Sequence, residues 1–166
     1  MFQVGDKVFY PMQGVGEIEG IIKKDLGEMQ TTFFSIKIYK NQMTLLLPVQ
    51  KIDESKIRAL ISRQDIDKIH SILKTRGKIL SRKRNARYKQ YMEKLKTGDT
   101  FKMTEVLRDL SYIREDTGLT PREKSLMDRV TDLIVQEIHF SLDEEMEKDE
   151  IIQDLKQHMA AAIENN

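Results

Sequence analysis

The chain has 166 residues, 39% hydrophobic and 33% charged, and its 28 Lys and Arg nearly balance 27 Asp and Glu. No apolar run approaches the roughly 18 residues that span a bilayer, and MFQVGDKVFY is charged too early for a signal-peptide core, so a cytoplasmic protein with no membrane partner is expected. Cysteine is absent, which excludes disulfides, thiolate metal ligands and thiol nucleophiles.

The first 60 or so residues read as short strands. Lys7-Val8-Phe9-Tyr10 stops at Pro11, which cannot donate to a central ladder. Pro11 to Gly14 is a turn, with Gly14 and Gly16 free to take positive φ. A second strand runs from Val15 to Lys24 and ends at Asp25-Leu26-Gly27. In the third, Phe34, Ile36 and Ile38 alternate with Ser35, Lys37 and Tyr39, the period of a half-buried strand. Met43 to Leu47 is the fourth, closed by Pro48, and a fifth around Ile57 to Leu60 closes the sheet. Strands this short and closely spaced predict a small, bent antiparallel barrel that works by offering a face or edge to a partner. GVGEIEG, Gly14 to Gly20, superficially resembles a dinucleotide loop, but no helix follows to face a phosphate, so it is a turn.

From Ser62 the period becomes helical. Ser62 with Asp65 starts a helix that buries Ile66, Ile69, Ile72 and Leu73 and ends at Thr75-Arg76-Gly77. Asp99 or Thr100 caps a later helix with Met103, Val106, Leu107, Leu110 and Ile113 inward. Thr120, Pro121 and Glu123 form a capping box for the next. A last helix is expected from Ser141, with Glu144 as box partner and Ile152, Leu155, Met159 and Ile163 inward. The fold class is therefore α+β: a small β module over 1–61 and an all-α domain over 62–166.

Between Lys74 and Lys96 ten cations face one acid, Glu93, and the compensating acids gather near the far end, from Glu137 to Glu164. Such asymmetry points to a polyanionic partner. Tyr88, Tyr91, Met92 and Leu95 make an apolar helical stripe. Arg82, Lys89 and Lys96 fall on one flank of it, and Lys83, Arg87 and Lys94 on the other. Two rows of cations suit phosphates along a groove. Catalysis finds little support: His70, His139 and His158 lie near no carboxylate at metal-ligand spacing, and there is no HExxH. Arg108 and Asp109 point different ways on a helix and are expected to form a local ion pair or to serve packing. No catalytic residue, metal site, cofactor or small-molecule substrate is expected.

Four blocks in this order, VGDKVFYPMQGVG (Val4 to Gly16), RYKQYMEKLKTGD (Arg87 to Asp99), EVLRDL (Glu105 to Leu110) and GLTPREK (Gly118 to Lys124), resemble the CarD/CdnL family of bacterial transcription regulators, over Met1 to about Phe140. The resemblance implies an amino-terminal Tudor-like barrel, similar to a module of the transcription-repair coupling factor, that binds the RNA polymerase β subunit. It implies a helical domain that touches promoter DNA in the minor groove at the upstream edge of the melted bubble, largely regardless of sequence, and slows bubble collapse. The protein would then associate with the nucleoid through polymerase.

By that resemblance Lys89 and Lys124 match DNA-contacting positions on one face, with Arg87 and Tyr88 in the same block. Lys24 matches a polymerase-contacting residue, and Leu46 stands where a relative has a polymerase-contacting arginine. Relatives often place a tryptophan wedge four residues before Tyr88. This chain has Arg84 and no tryptophan, so anchoring at Arg82, Lys83 and Arg84 should be more electrostatic. The competing interpretation is a protein-protein adaptor whose basic helix is only a solvated surface.

Overall fold

The computed structural model describes residues 1–164. They fall into two compact units, Met1–Leu60 and a second beginning at Ile61.

The first unit is one antiparallel sheet of β1 (Lys7–Tyr10), β2 (Gly14–Leu26), β3 (Met29–Ile38), β4 (Thr44–Pro48) and β5 (Arg58–Ala59), in the order β4-β3-β2-β1-β5. The outer strands β4 and β5 are joined by a 3-10 turn (Val49–Lys51) and the short α1 (Ile52–Ser55). Val8, Ile18, Phe34, Ile36, Ile38, Leu47 and Ile57 form its core, with Val49 and Ile52 packed against them. The alternation in β3 thus sends Phe34, Ile36 and Ile38 inward, as its period predicts. Gly14 takes φ 99°, as the turn requires. Gly16 does not take positive φ. It is glycine because a Cβ there would sit 2.7 Å from the Lys37 carbonyl oxygen on the neighbouring strand.

A bulge between Ile18 and Gly20 bends β2. Beyond it the β2–β3 hairpin leaves the core, and residues 21–30 are all exposed. Ile21, Leu26 and Met29 stand 53%, 59% and 73% accessible, far more than folding alone favours. Register fixes which faces they share. Gly20 pairs with Ser35, which pairs with Leu46; Ile22 pairs with Phe33, Lys24 with Thr31 and Leu26 with Met29. Directly paired residues point the same way, so Leu46, Ile22, Lys24, Leu26 and Met29 line one face. Phe34 and Leu47, also paired, point to the core on the other.

The second unit contains α2 (Arg63–Lys74), α3 (Arg84–Lys96), α4 (Thr100–Asp116), α5 (Pro121–Ser141) and α6 (Lys148–Glu164). Two of the expected helix starts form as capping boxes: Ser62 with Asp65 opens α2 and Thr120 with Glu123 opens α5, Pro121 standing at its start. Asp99 caps α4 by accepting from the Phe101 and Lys102 amides. Helix α4 is central, packing on α2, α3 and α5 through Met103, Val106, Leu107, Leu110 and Ile113, none of them exposed. Glu137 does not join the acidic surface. It is fully buried, accepting from the Thr100 hydroxyl and the Ile61 amide.

The last helix differs from its sequence-based expectation. Helix α5 continues through Ser141 because Ile138, His139 and Leu142 still have core to cover. The Ser141 hydroxyl donates to the Ile138 carbonyl instead of capping a new helix. Asp143 and Glu144 take φ 50° and 64°, and the Glu144 amide closes on the His139 carbonyl, ending α5. Helix α6 starts only at Lys148. Its inward face is Ile151, Leu155, Met159 and Ala162; Ile152 is half-buried and Ile163 exposed.

Candidate nucleic-acid interface

The basic stretch is not one helix. From Thr75 to Lys83 it is irregular, and α4 holds it. Gly77 lies so close to Tyr112 that a Cβ would meet the Tyr112 Cβ at 2.4 Å. The Lys78 amide donates to Asp109 Oδ1 at 2.8 Å, and the Arg108 guanidinium donates to the same oxygen at 2.9 Å. Arg108 also reaches the Thr75 hydroxyl, and Arg76 donates to the Tyr112 hydroxyl while lying over its ring. Of the two roles expected for Arg108 and Asp109, the ion pair is the one that forms, and it anchors the loop. Arg82 and Lys83 precede α3 rather than riding its flanks, and both are exposed, as are Arg84, the first residue of α3, and Lys89.

Lys83 occupies the cap position of α3, where its own side chain caps nothing; its amide donates to Ser81 Oγ at 3.2 Å, and the first turn contains no acid. Cations beside the positive end of a helix dipole oppose its stability. Unsatisfied amides together with cations make an anion-accepting corner. Lys94 is different: it pairs with Glu105 at 2.9 Å on the α4 side.

Arg87 does not belong to this surface. It is 5% exposed, and its guanidinium grips Glu123 in a fork, Nε to Oε2 and Nη2 to Oε1, both at 2.8 Å. The expectation that it meets DNA is corrected: helical phase turns Arg87 inward with Tyr91 and Leu95, leaving Tyr88 and Met92 half-buried at the side. Burial pushes the Glu123 carboxyl up, but the Arg87 fork and the Thr120 amide and hydroxyl outweigh it and hold Glu123 below the usual carboxylate range. Beside it the Tyr91 hydroxyl is buried with no hydrogen-bond partner. Burial, then the Asp109 charge, push that phenol well up.

Arg122, which sequence patterning did not single out, bridges α5 and α3. Its guanidinium lies 4.1 Å from the Tyr88 ring centre and donates to Asn85 Oδ1 at 3.0 Å. Tyr88, Met92, Arg122, Ser125 and Arg129 line a groove between the two helices. Only the REK block hinted at this, since a stacked guanidinium depends on which helices become neighbours. Lys124 is exposed but lies on another flank of α5, in the row that continues to Asp128 and Thr131. Those two residues line a different groove with α6, so the structure does not bring Lys124 to the Tyr88 groove.

The histidines also depart from expectation. His70 and His158 stack, with Asp154 Oδ2 2.6 Å from His70 Nε2, so two of the three do meet a carboxylate. The i, i+4 spacing of Asp154 and His158 was the available signal; the approach of α2 was not legible. His139 Nδ1 is bound instead to the Met146 carbonyl.

Among the described residues, no helix is long and apolar enough to cross a membrane. The family profile "CarD-like/TRCF RID domain" matches residues 2–61, and "CarD, C-terminal domain" matches residues 68–155. A Bacillus subtilis (strain 168) protein named "Putative transcription factor YdeB" is 32% identical over 140 residues, 83% of this chain and 90% of that protein. Strand-rich RID module, helical module and relative agree: the chain belongs to the CarD family of RNA polymerase-binding transcription regulators.

Proposed function

We propose that the β unit docks on the polymerase β subunit while the helical unit rests against promoter DNA at the upstream edge of the bubble, lengthening the life of the open complex. The observation that weighs most is the amino end of α3. There Arg82, Lys83 and Arg84 crowd an uncapped helix start with no acid in its first turn. Such charge costs stability unless an anion answers it. Phosphates supply that anion without regard to sequence.

Lys89 extends the cationic surface along α3, and Arg122, held by Tyr88 and Asn85, stiffens its side. Lys124 would reach phosphates from the start of α5, on a separate flank. Arg84 takes the wedge position; a guanidinium can enter a narrow minor groove but fills less of an opened step than an indole. On the β unit, the face bearing Lys24, Leu46, Ile22, Leu26 and Met29 is the polymerase surface. Leu46 offers apolar contact where a relative offers charge. Placement comes from docking, which raises the local concentration of a weak DNA binder.

Dissociation of promoter complexes formed with cognate polymerase tests this. Added protein should slow decay of the open complex, and the effect should weaken as salt rises. Binding to polymerase with no change in decay would favour a pure adaptor.

A further inference from the structure

Helix α6 sets Asp154 and His158 one turn apart, and α2 brings His70 to the same place. One ligand atom from each of the three lies within 4.8 Å of those of the other two. The imidazoles stack with centres 3.9 Å apart and planes 6° from parallel. All three side chains are half-buried, held by their helices yet open to an ion and water. The setting of His158 is defined. Its Nδ1 lies 2.7 Å from the Asp154 main-chain carbonyl. A carbonyl only accepts, so Nδ1 donates to it; the same Nδ1 lies 3.7 Å from Asp154 Oδ1, and Nε2 is the nitrogen left to face an ion once the ring turns. Metal-ligating imidazoles are commonly oriented by a hydrogen bond of this type.

We propose that His70, Asp154 and His158 form a binding site for a divalent transition metal of the zinc class, clamping α2 to α6. Two imidazoles and one carboxylate suit zinc, cobalt or nickel and not the all-oxygen preference of calcium or magnesium. Three protein ligands leave a fourth position for water. The ion takes the place of the proton between His70 Nε2 and Asp154 Oδ2, now 2.6 Å apart. Tetrahedral bonds of about 2.0–2.2 Å need roughly 3.3 Å between those atoms, an opening of less than about 1 Å. The rings must slip out of their stack to aim both lone pairs at the ion, and half-buried side chains have room to turn. The contact thereby gains a coordination bond in addition to the packing of Ile151, Leu155 and Met159.

Cobalt(II) titrated into the full chain, in slightly alkaline buffer where free imidazole is neutral, reads the site through its visible absorption bands. The expected result is saturation at one ion per chain, displacement by zinc, and a thermal midpoint that zinc raises and EDTA restores. His70→Gln, His158→Gln and Asp154→Asn should each weaken binding roughly tenfold or more. Wild-type affinity in both histidine variants would mark an adventitious ion only and overturn the proposal. Half an ion per chain with dimer formation, or no saturable binding at sub-millimolar zinc, would do the same. A second reading needs no variant: the imidazole resonances of His70 and His158 should shift on adding zinc while those of His139 stay. Shifts at His139 alone would overturn it.

Discussion

Arg87 and Glu123 meet through two parallel hydrogen bonds of 2.8 Å, joining α3 to α5 where almost no water reaches. The same carboxylate accepts the Thr120 amide that it caps, so one side chain both starts a helix and neutralises a buried cation. The surface cations beside it have no such partner in α3's first turn. Arg87 is therefore a residue of the scaffold, whereas Arg84 and Lys89 stay exposed.

Removing one side of that fork leaves a buried charge. Arg87→Met should cost about 3–5 kcal/mol in urea unfolding, and the double variant Arg87→Met, Glu123→Leu should recover much of it. A loss in DNA affinity without loss of stability would return Arg87 to the surface.

The fork also sets a pH dependence. Glu123 titrates below its ordinary 4.5 when folded. Its contribution is thus complete above about pH 4.5–5 and is lost as pH falls through the folded value. The urea midpoint of the wild type should drop over that acid window, and Glu123→Gln, lower at neutral pH, should drop less.

Tyr91 presents the opposite case. Its hydroxyl is buried without a partner, so deleting it removes a desolvation cost. Tyr91→Phe should leave stability unchanged or raise it by about 1 kcal/mol in thermal or urea unfolding.

Arg84→Ala and Lys89→Ala should each reduce the slope of log affinity against log salt for DNA by about one, with little change in folding. Arg84→Trp should lengthen open-complex lifetime and flatten its salt dependence; a shorter lifetime would reject the wedge argument. Arg122→Ala, which frees Tyr88 and Asn85, should weaken DNA affinity through disorder of the groove.

Lys24→Glu and Leu46→Asp sit on the exposed face of the β unit. Each should weaken polymerase association by about tenfold or more while the melting temperature stays within experimental error, since surface changes of this kind rarely alter folding. Equal weakening by a substitution on the opposite, core-facing side of the hairpin tip would argue against the assigned face.

Local chemistry wrote much of this protein into its sequence. Period-two alternation in β3, the Ser62–Asp65 and Thr120–Glu123 boxes, the Asp99 cap and the cationic run all depend on neighbours within about four residues, and their spacing could be read directly. Which cations stay outside could not. A one-residue shift in helical phase carries a side chain about 100° around the axis, enough to turn Arg87 from flank to core, and only the arrival of α5 with Glu123 makes that burial tolerable. The Arg122–Tyr88 stack, the shared face of Lys24 and Leu46, and the meeting of His70 with Asp154 and His158 join residues far apart in the chain. Such contacts follow from how strands register and helices pack, and those choices minimise exposed apolar area over a whole unit, a sum that no short window contains.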